Sequence, residues 1–246
     1  MSRFCIGTSG YNYKEWRGNF YPAEVSESAM LKLYAARFPS VEINYTFYRL
    51  PNVRTLQSWA KETPADFMFS LKAPRRITHD LRLRDAGDAV TYFCDTAKAL
   101  KSRLGPMLFQ LPPFLKMDLA RLEDFLHQLP PGVRAAFEFR NPSWYCDDVF
   151  ECMRRFEVAL CVTEHEDRCA PFEQTTHFGY FRLRRPEYSD AELSAWAERI
   201  AAAASKWTDV YVYFKQEPDG RSPLYAAKLM SLLNPGADVV AAAESA

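Results

Sequence analysis

Eight short runs rich in apolar, β-branched and aromatic residues recur along this chain, and most of the gaps between them carry apolar residues at helical spacing. The runs are 4–9, 41–44, 67–72, 107–111, 135–140, 158–164, 178–183 and 210–215. Such alternation leaves few solutions, because parallel strands joined by crossover helices bury both faces of their sheet. Eight strands alternating with helices in 246 residues predict an α/β fold of the (β/α)8 TIM-type barrel kind. A doubly wound open sheet shares the alternation but usually needs fewer strands, and its nucleotide-binding form needs a glycine-rich first turn. Only nine glycines are present, and neither G-x-G-x-x-G nor a P-loop occurs.

The helices are legible from spacing and caps. Met30, Leu33, Tyr34 and Phe38 mark the first. Asn52 caps the second, which carries Val53, Leu56, Trp59 and Ala60. Residues 89–100 form the third. Asp118 opens the fourth, with Leu119, Leu122, Phe125, Leu126 and Leu129 on one face and Pro130-Pro131 ending it. Ser189-Asp190-Ala191-Glu192 reads as a capping box ahead of Leu193, Trp196, Ala197 and Ile200. Tyr225, Leu229, Leu232 and Leu233 mark the last. Residues 165–176 show no helical pattern, so the sixth βα unit is predicted to be irregular. No composition break or linker divides the chain, which predicts one domain over 1–246 with a frayed low-complexity tail at 237–246.

Charge and cysteines narrow the function classes. Lys plus Arg and Asp plus Glu number 31 each, so no net charge draws the chain to nucleic acid or to an anionic membrane. No apolar stretch approaches the roughly 20 residues a membrane span needs, and the first residues lack the pattern of a signal peptide. The six cysteines form no C-x-x-C pair, and Cys5 and Cys161 lie inside strand-like runs. They read as reduced thiols of a cytoplasmic protein.

Side chains alternate along a strand, so each run splits by parity. One parity is almost wholly apolar: Val41, Ile43, Phe67, Phe69, Leu71, Met107, Phe109, Leu111, Phe137, Phe139, Phe181, Leu183, Val210, Val212 and Phe214. In a barrel this set faces the helices. The other parity carries Glu42, Asn44, Ser70, Lys72, Gln110, Glu138, Arg140, Tyr180, Arg182, Tyr211, Tyr213 and Lys215, and its polar members crowd the C-terminal strand ends. That end holds the active site of characterised barrel enzymes. Buried charges are costly unless paired. Two carboxylates against Lys72, Arg140 and Arg182 leave one positive charge over, and Arg184, Arg185, Arg75 and Arg76 add to it at the rim. Such a mouth suits a small anionic ligand held by guanidinium forks. The bland alternative is an ion-pair network that plugs the barrel.

Glu42 and Glu138 are the candidate acid/base pair, since cations can separate the pKa values of two carboxyls; both also serve as partners for Lys72 and Arg140. Lys72 reads first as an anion ligand. A Schiff-base role needs a lowered pKa, towards which Arg140 and Arg182 push and from which the carboxylates pull. His79 lies on the long loop 73–88 among Arg75, Arg76, Arg82 and Arg84, as a general acid/base over the mouth or an ordinary surface His. The loop has the length of a lid. Asn44 and Gln110 would orient a ligand, with Tyr213 contacting it from the lumen. Among the aromatics Tyr11, Tyr13, Trp16, Tyr45, Phe47, Tyr48, Trp144 and Tyr145, which pack over helix tops or line a pocket, Tyr11 and Trp144 are the pocket candidates. Glu164, His165, Glu166, Asp167 and His177 have metal-friendly chemistry, but no H-E-x-x-H or cysteine spacing supports them, and neither a metal nor a cofactor is predicted. The loops Arg184-Arg185-Pro186-Glu187 and Lys215-Gln216-Glu217-Pro218 lack the glycines of the usual barrel phosphate cradle, so side chains would hold an anion.

Several blocks resemble the signature of domain-of-unknown-function family 72, the YecE-like family. They are Ile6-Gly7-Thr8-Ser9-Gly10 with Trp16 and Phe20-Tyr21-Pro22; Val41-Glu42-Ile43-Asn44 with Thr46-Phe47-Tyr48; and Phe69-Ser70-Leu71-Lys72-Ala73-Pro74 with Ile77-Thr78-His79. Gln110-Leu111-Pro112-Pro113, Phe137-Glu138-Phe139-Arg140 with Ser143-Trp144, and Tyr211-Val212-Tyr213-Phe214 complete the series, in order along the chain. The resemblance implies a (β/α)8 barrel and supplies no reaction. Tyr11 and Tyr45 stand where the family usually has Trp and Ser. Arg182-Leu183-Arg184-Arg185 keeps the Arg of an Arg-x-His-Gly pattern and loses the His-Gly, and Lys215-Gln216-Glu217 replaces an Asn-rich turn. An activity resting on that His would lack its residue here.

The expected function is a barrel enzyme, a hydrolase, lyase or isomerase using general acid/base catalysis, acting on a small phosphorylated, carboxylated or nucleotide-like molecule. A non-catalytic binding module and a nucleic-acid processor are the alternatives, the latter opposed by zero net charge. The sequence does not set the oligomeric state.

Overall fold

Strand β1 (Arg3–Ser9) opens a ring of parallel strands in a computed structural model that describes residues 2–165, 168–215 and 220–234. The ring continues with β2 (Ser40–Ile43), β3 (Met68–Lys72), β4 (Leu104–Gln110), β5 (Ala135–Glu138), β6 (Ala159–His165), β7 (Phe178–Leu183) and β8 (Asp209–Phe214). Each strand pairs in parallel with its neighbours in sequence, and β8 pairs with β1 over six residues from Arg3↔Asp209 to Thr8↔Phe214. β5 meets β6 at Ala136↔Ala159, so the sheet has no free edge and forms a closed eight-stranded barrel.

The crossovers carry α1 (Glu27–Ala35), α2 (Val53–Glu62), α3 (Gly87–Ala97), α4 (Leu119–Leu126), α5 (Asp147–Arg155), α6 (Asp190–Ala204) and α7 (Arg221–Leu233). Three of their starts carry the caps expected from sequence. Asn52 Oδ1 accepts from Thr55 N–H at 2.9 Å, Asp118 Oδ1 from Arg121 N–H at 3.1 Å, and Ser189 and Glu192 close a reciprocal capping box. No helix is assigned among the described residues between β6 and β7. There a two-residue strand, Arg168–Cys169, folds back antiparallel on β6, the irregular sixth unit. The expected tail at 237–246, with Glu166, Asp167, Gln216, Glu217 and Pro218, lies outside the described residues. No described helix is long and apolar enough to cross a membrane.

The barrel wall divides the apolar residues into two clusters. Every residue of the apolar parity packs in the outer one, against the helices. The lumen is filled separately by Cys5, Met68, Leu108, Ala136, Ala159, Cys161, Phe178, Tyr180, Tyr211 and Tyr213. Burying each large side chain contributes about 1.5–3 kcal/mol, so two shells of this size fix the closed ring. At the N-terminal end Arg134 reaches Asp209 at 3.1 Å and the Tyr211 hydroxyl at 2.9 Å, and the ion pair of Arg3 with Asp209 joins them.

Three local expectations need correction. In α1 the buried stripe runs through Met30, Leu31 and Tyr34, and Leu33 is exposed. Strand β4 starts at Leu104, not at 107. Leu104 pairs with Phe69 and Met107 with Leu71, so β4 carries an extra residue where Gly105-Pro106 stands. A proline inside a sheet is tolerated at such a bulge. Third, loop 73–88 is no free lid. Arg76–Asp80 wind as a π-helical turn, and Ile77, Leu83 and Ala86 are fully buried against the core.

Candidate functional site

The lumen-facing parity brings Glu42, Asn44, Lys72, Gln110, Glu138, Arg140 and Arg182 to the C-terminal mouth of the barrel. At its floor lies Arg182, at 0% exposure. Its Nε and Nη2 donate to Glu42 Oε1 at 3.1 and 2.9 Å, and Nη1 donates to Glu138 Oε2. Both carboxylates are themselves fully buried. Ser9 Oγ donates to Glu42 Oε1 at 2.5 Å and the Tyr180 hydroxyl to Oε2 at 2.6 Å. Glu42 therefore has both oxygens engaged by donors beneath Arg182. Its carboxylate anchors Arg182 through Oε1, and Oε2 accepts from Tyr180.

Glu138 is different. Oε2 belongs to Arg182, while Oε1 makes ion-pair contact with Arg140 Nε and lies 3.8 Å from Arg184 Nη1, in neither case with hydrogen-bond alignment. Burial alone would push this carboxyl up; Arg182, then Arg140 and Lys72, outweigh it and hold Glu138 below the usual carboxylate range. Arg184 Nε and Nη1, and Asn44 Nδ2, are further buried polar atoms without a hydrogen-bond partner. Asn44 Oδ1 accepts from Arg182 Nη2 at 3.4 Å. Arg182 and Arg184 share a parity on β7 and its extension, so Arg184 joins the site.

Lys72 ends β3. Its Nζ donates to Gln110 Oε1 at 2.7 Å and lies 4.3 Å from the centroid of the Phe47 ring. Thr46 Oγ1 donates to the Lys72 carbonyl at 2.6 Å, which ties the 3-10 turn Tyr45–Phe47 to the end of β3 and sets Phe47 over the amine. On the edge of the same ring rests His79, centroids 4.9 Å apart. Burial, then Lys72 and Arg75, push the His79 pKa below its ordinary value, so the imidazole is neutral at neutral pH. Burial first and Arg182 second bring Lys72 down to about 7, against the pull of Glu138 and Glu42.

Three ligand-contact expectations are corrected by placement. Trp144 is fully buried, stacks on Phe139 at 4.8 Å and 3°, and donates Nε1–H to the Leu115 carbonyl. Half-buried Tyr11 packs its ring against Tyr34 of α1, in the helix layer. Tyr213 does face the lumen, but its fully buried hydroxyl is spent on Ser40 Oγ at 2.5 Å and Ser70 Oγ at 2.8 Å. Of the rim arginines, Arg185 turns outward to Glu192 at 2.5 Å and Arg75 pairs with Asp80 at 3.2 Å.

Among the described residues no three His, Cys, Asp or Glu side chains gather as a metal would require. Glu164 faces the helices, accepting from the Tyr188 hydroxyl at 2.6 Å and Trp196 Nε1–H at 3.2 Å. His177 precedes β7, at the opposite end of the barrel from the mouth. From sequence Phe47 counts only among the strand-end aromatics and Arg184 only as a rim cation, and Ser9 is left out of the site. Parity carried through β1 and past β7 finds Ser9 and Arg184, whereas Phe47 depends on a loop turn.

A family model described as "Protein of unknown function DUF72" matches residues 5–246. The "UPF0759 protein YunF" of Bacillus subtilis is 24% identical over 271 residues, covering 93% of this chain and 94% of that protein. The "UPF0759 protein YecE" of Escherichia coli K12 is 36% identical over 116 residues, covering 47% and 43%. The crystal structure of a DUF72 family protein from Thermotoga maritima superimposes with a TM-score of 0.85 at 27% identity, over 94% of this chain and 99% of that one.

Proposed function

The chain belongs to the DUF72 family of proteins of unknown function, and from that premise we propose that its barrel mouth binds a small carboxylated or phosphorylated molecule and performs acid/base chemistry on it. The observation that carries this reading is the imbalance above Arg182. That residue takes Oε1 of Glu42 and Oε2 of Glu138. Arg140 and Arg184 are left to share the other oxygen of Glu138, with Arg184 Nε and Nη1 hydrogen-bonded to nothing among the described residues. A buried donor without an acceptor costs about 1–3 kcal/mol, so a ligand oxyanion accepting from these groups gains that much in addition to its charge attraction.

The chemistry on offer is proton transfer. The depressed pKa of Glu138 favours its carboxylate and the depressed pKa of His79 favours its neutral imidazole, so both are candidate bases at neutral pH. Asn44 and Gln110 supply amides that orient a ligand. Arg184→Gln is expected to weaken inorganic phosphate binding about tenfold, the loss of one charge-assisted bond, as read by isothermal titration calorimetry. Equal affinity in variant and wild type would remove Arg184 from the site. Once a turnover is found, Glu138→Gln that binds but does not react marks an enzyme, and unaltered turnover marks Glu138 as an anchor only. The binding-module alternative has no observation of its own in its favour.

A further inference from the structure

Lys72 is the buried cation that the ion-pair network leaves out. Among the described residues no carboxylate forms an ion pair with its Nζ, because Arg182 stands between Glu42 and Glu138 and binds both. The amine has instead a neutral amide oxygen at 2.7 Å and the face of Phe47 at 4.3 Å. The charged groups that act on it are Arg182 from β7, Glu138 from the end of β5 with its partner Arg140, Glu42 from β2, Lys215 beyond β8 and His79 from the loop after β3. In this company an ammonium is poorly supported and a free amine is not.

We propose that Lys72 is a covalent site, whose amine forms an imine with a small aldehyde or ketone that also carries a carboxylate or phosphate. This rests on the anion-binding reading above, with Arg140 and Arg184 taking the charged group. The ammonium first loses a proton to solvent. The nitrogen lone pair then attacks the carbonyl carbon and makes the C–N bond, while the carbonyl pair moves to oxygen, which is protonated. The carbinolamine nitrogen loses its second proton, and its hydroxyl takes up a proton and leaves as water as the C=N bond closes. No oxidant or cofactor enters. Losing the ammonium costs little here, since burial and Arg182 already bring its pKa to about 7 against 10.5 for an ordinary lysine.

Glyoxylate is a suitable probe, with sodium cyanoborohydride added to reduce the imine to a stable carboxymethyl-lysine that peptide mass spectrometry locates on the full chain. At pH 7 Lys72 is expected to be labelled at least about a hundredfold faster than exposed lysines such as Lys14 or Lys98, because far more of it is unprotonated. Its labelling rate levels off above about pH 7, whereas that of exposed lysines keeps rising. Acetaldehyde, which lacks the anion, is expected to favour Lys72 over those lysines at least about tenfold less than glyoxylate does. Lys72→Arg and Lys72→Gln, each checked for native melting, lose the fast adduct. Labelling of Lys72 no faster than of Lys14 overturns the proposal, and no variant has to fold for that result. If phosphate still binds in that case, the imine fails and the anion site stands; if neither phosphate nor glyoxylate binds, the reading beneath it fails.

Discussion

Arg182→Leu is expected to lower folding stability by about 3–5 kcal/mol at pH 7, read as the change in urea midpoint and slope. Arg182, Glu42 and Glu138 are all at 0% exposure, and among the described residues Arg182 is the one cation that pairs with both carboxylates. Without it, Glu42 keeps only the neutral donors Ser9 and Tyr180, and Glu138 keeps two arginines near one oxygen. Burial then dominates at Glu138 and raises its carboxyl pKa in the folded variant. Carboxyls raised in this way favour the folded state below their unfolded pKa of about 4.5, and the deficit of the variant grows as pH rises through the folded value. The wild type behaves in the opposite sense. Glu138 is depressed when folded, so its contribution is present above 4.5 and is lost as pH falls through the folded value. A deficit under about 1 kcal/mol, or one that does not shrink between pH 7 and 4, would mean that the floor of the mouth is not the paired network the geometry indicates.

Gly7→Ala is the second large effect, a loss of about 3 kcal/mol. A Cβ built on Gly7 falls 1.9 Å from the Ser40 carbonyl oxygen and 2.7 Å from the Tyr34 hydroxyl. That hydroxyl enters the seam between β1 and β2, accepting from Thr8 N–H at 2.8 Å and donating to the Ser40 carbonyl at 3.0 Å. Glycine is required where backbone and side chain converge this closely. Thermal melting beside a Gly18→Ala control checks it. Nothing crowds a Cβ at Gly18, where only the backbone conformation at φ +84° resists the change. Equal melting temperatures for the two variants would refute the crowding at Gly7.

The amino-acid order by itself determined the barrel. Period-two alternation of Phe137, Glu138 and Phe139, or of Phe181 and Arg182, separates a helix-facing shell from a lumen, and burying both shells at once needs a closed parallel ring. It also placed the charges at the mouth, since parity and strand ends are local properties, and the caps at Asn52, Asp118 and Ser189 needed only nearest neighbours along the chain. The start of β4 was not legible, since the apolar run begins only at Met107 and the bulge that admits Gly105-Pro106 to the strand depends on its neighbour β3. What tertiary structure alone decided was who pairs with whom. Parity puts Glu42, Glu138, Lys72 and Arg182 in one lumen without ranking their contacts, and only the closed ring shows Arg182 taking both carboxylates. Likewise Trp144 and Tyr11 follow strand ends as pocket aromatics would, and the direction of a loop turned them into the helix layer and brought Phe47 over Lys72. Charge pairing depends on distances of a few ångströms between strands far apart in sequence, and no local pattern encodes those.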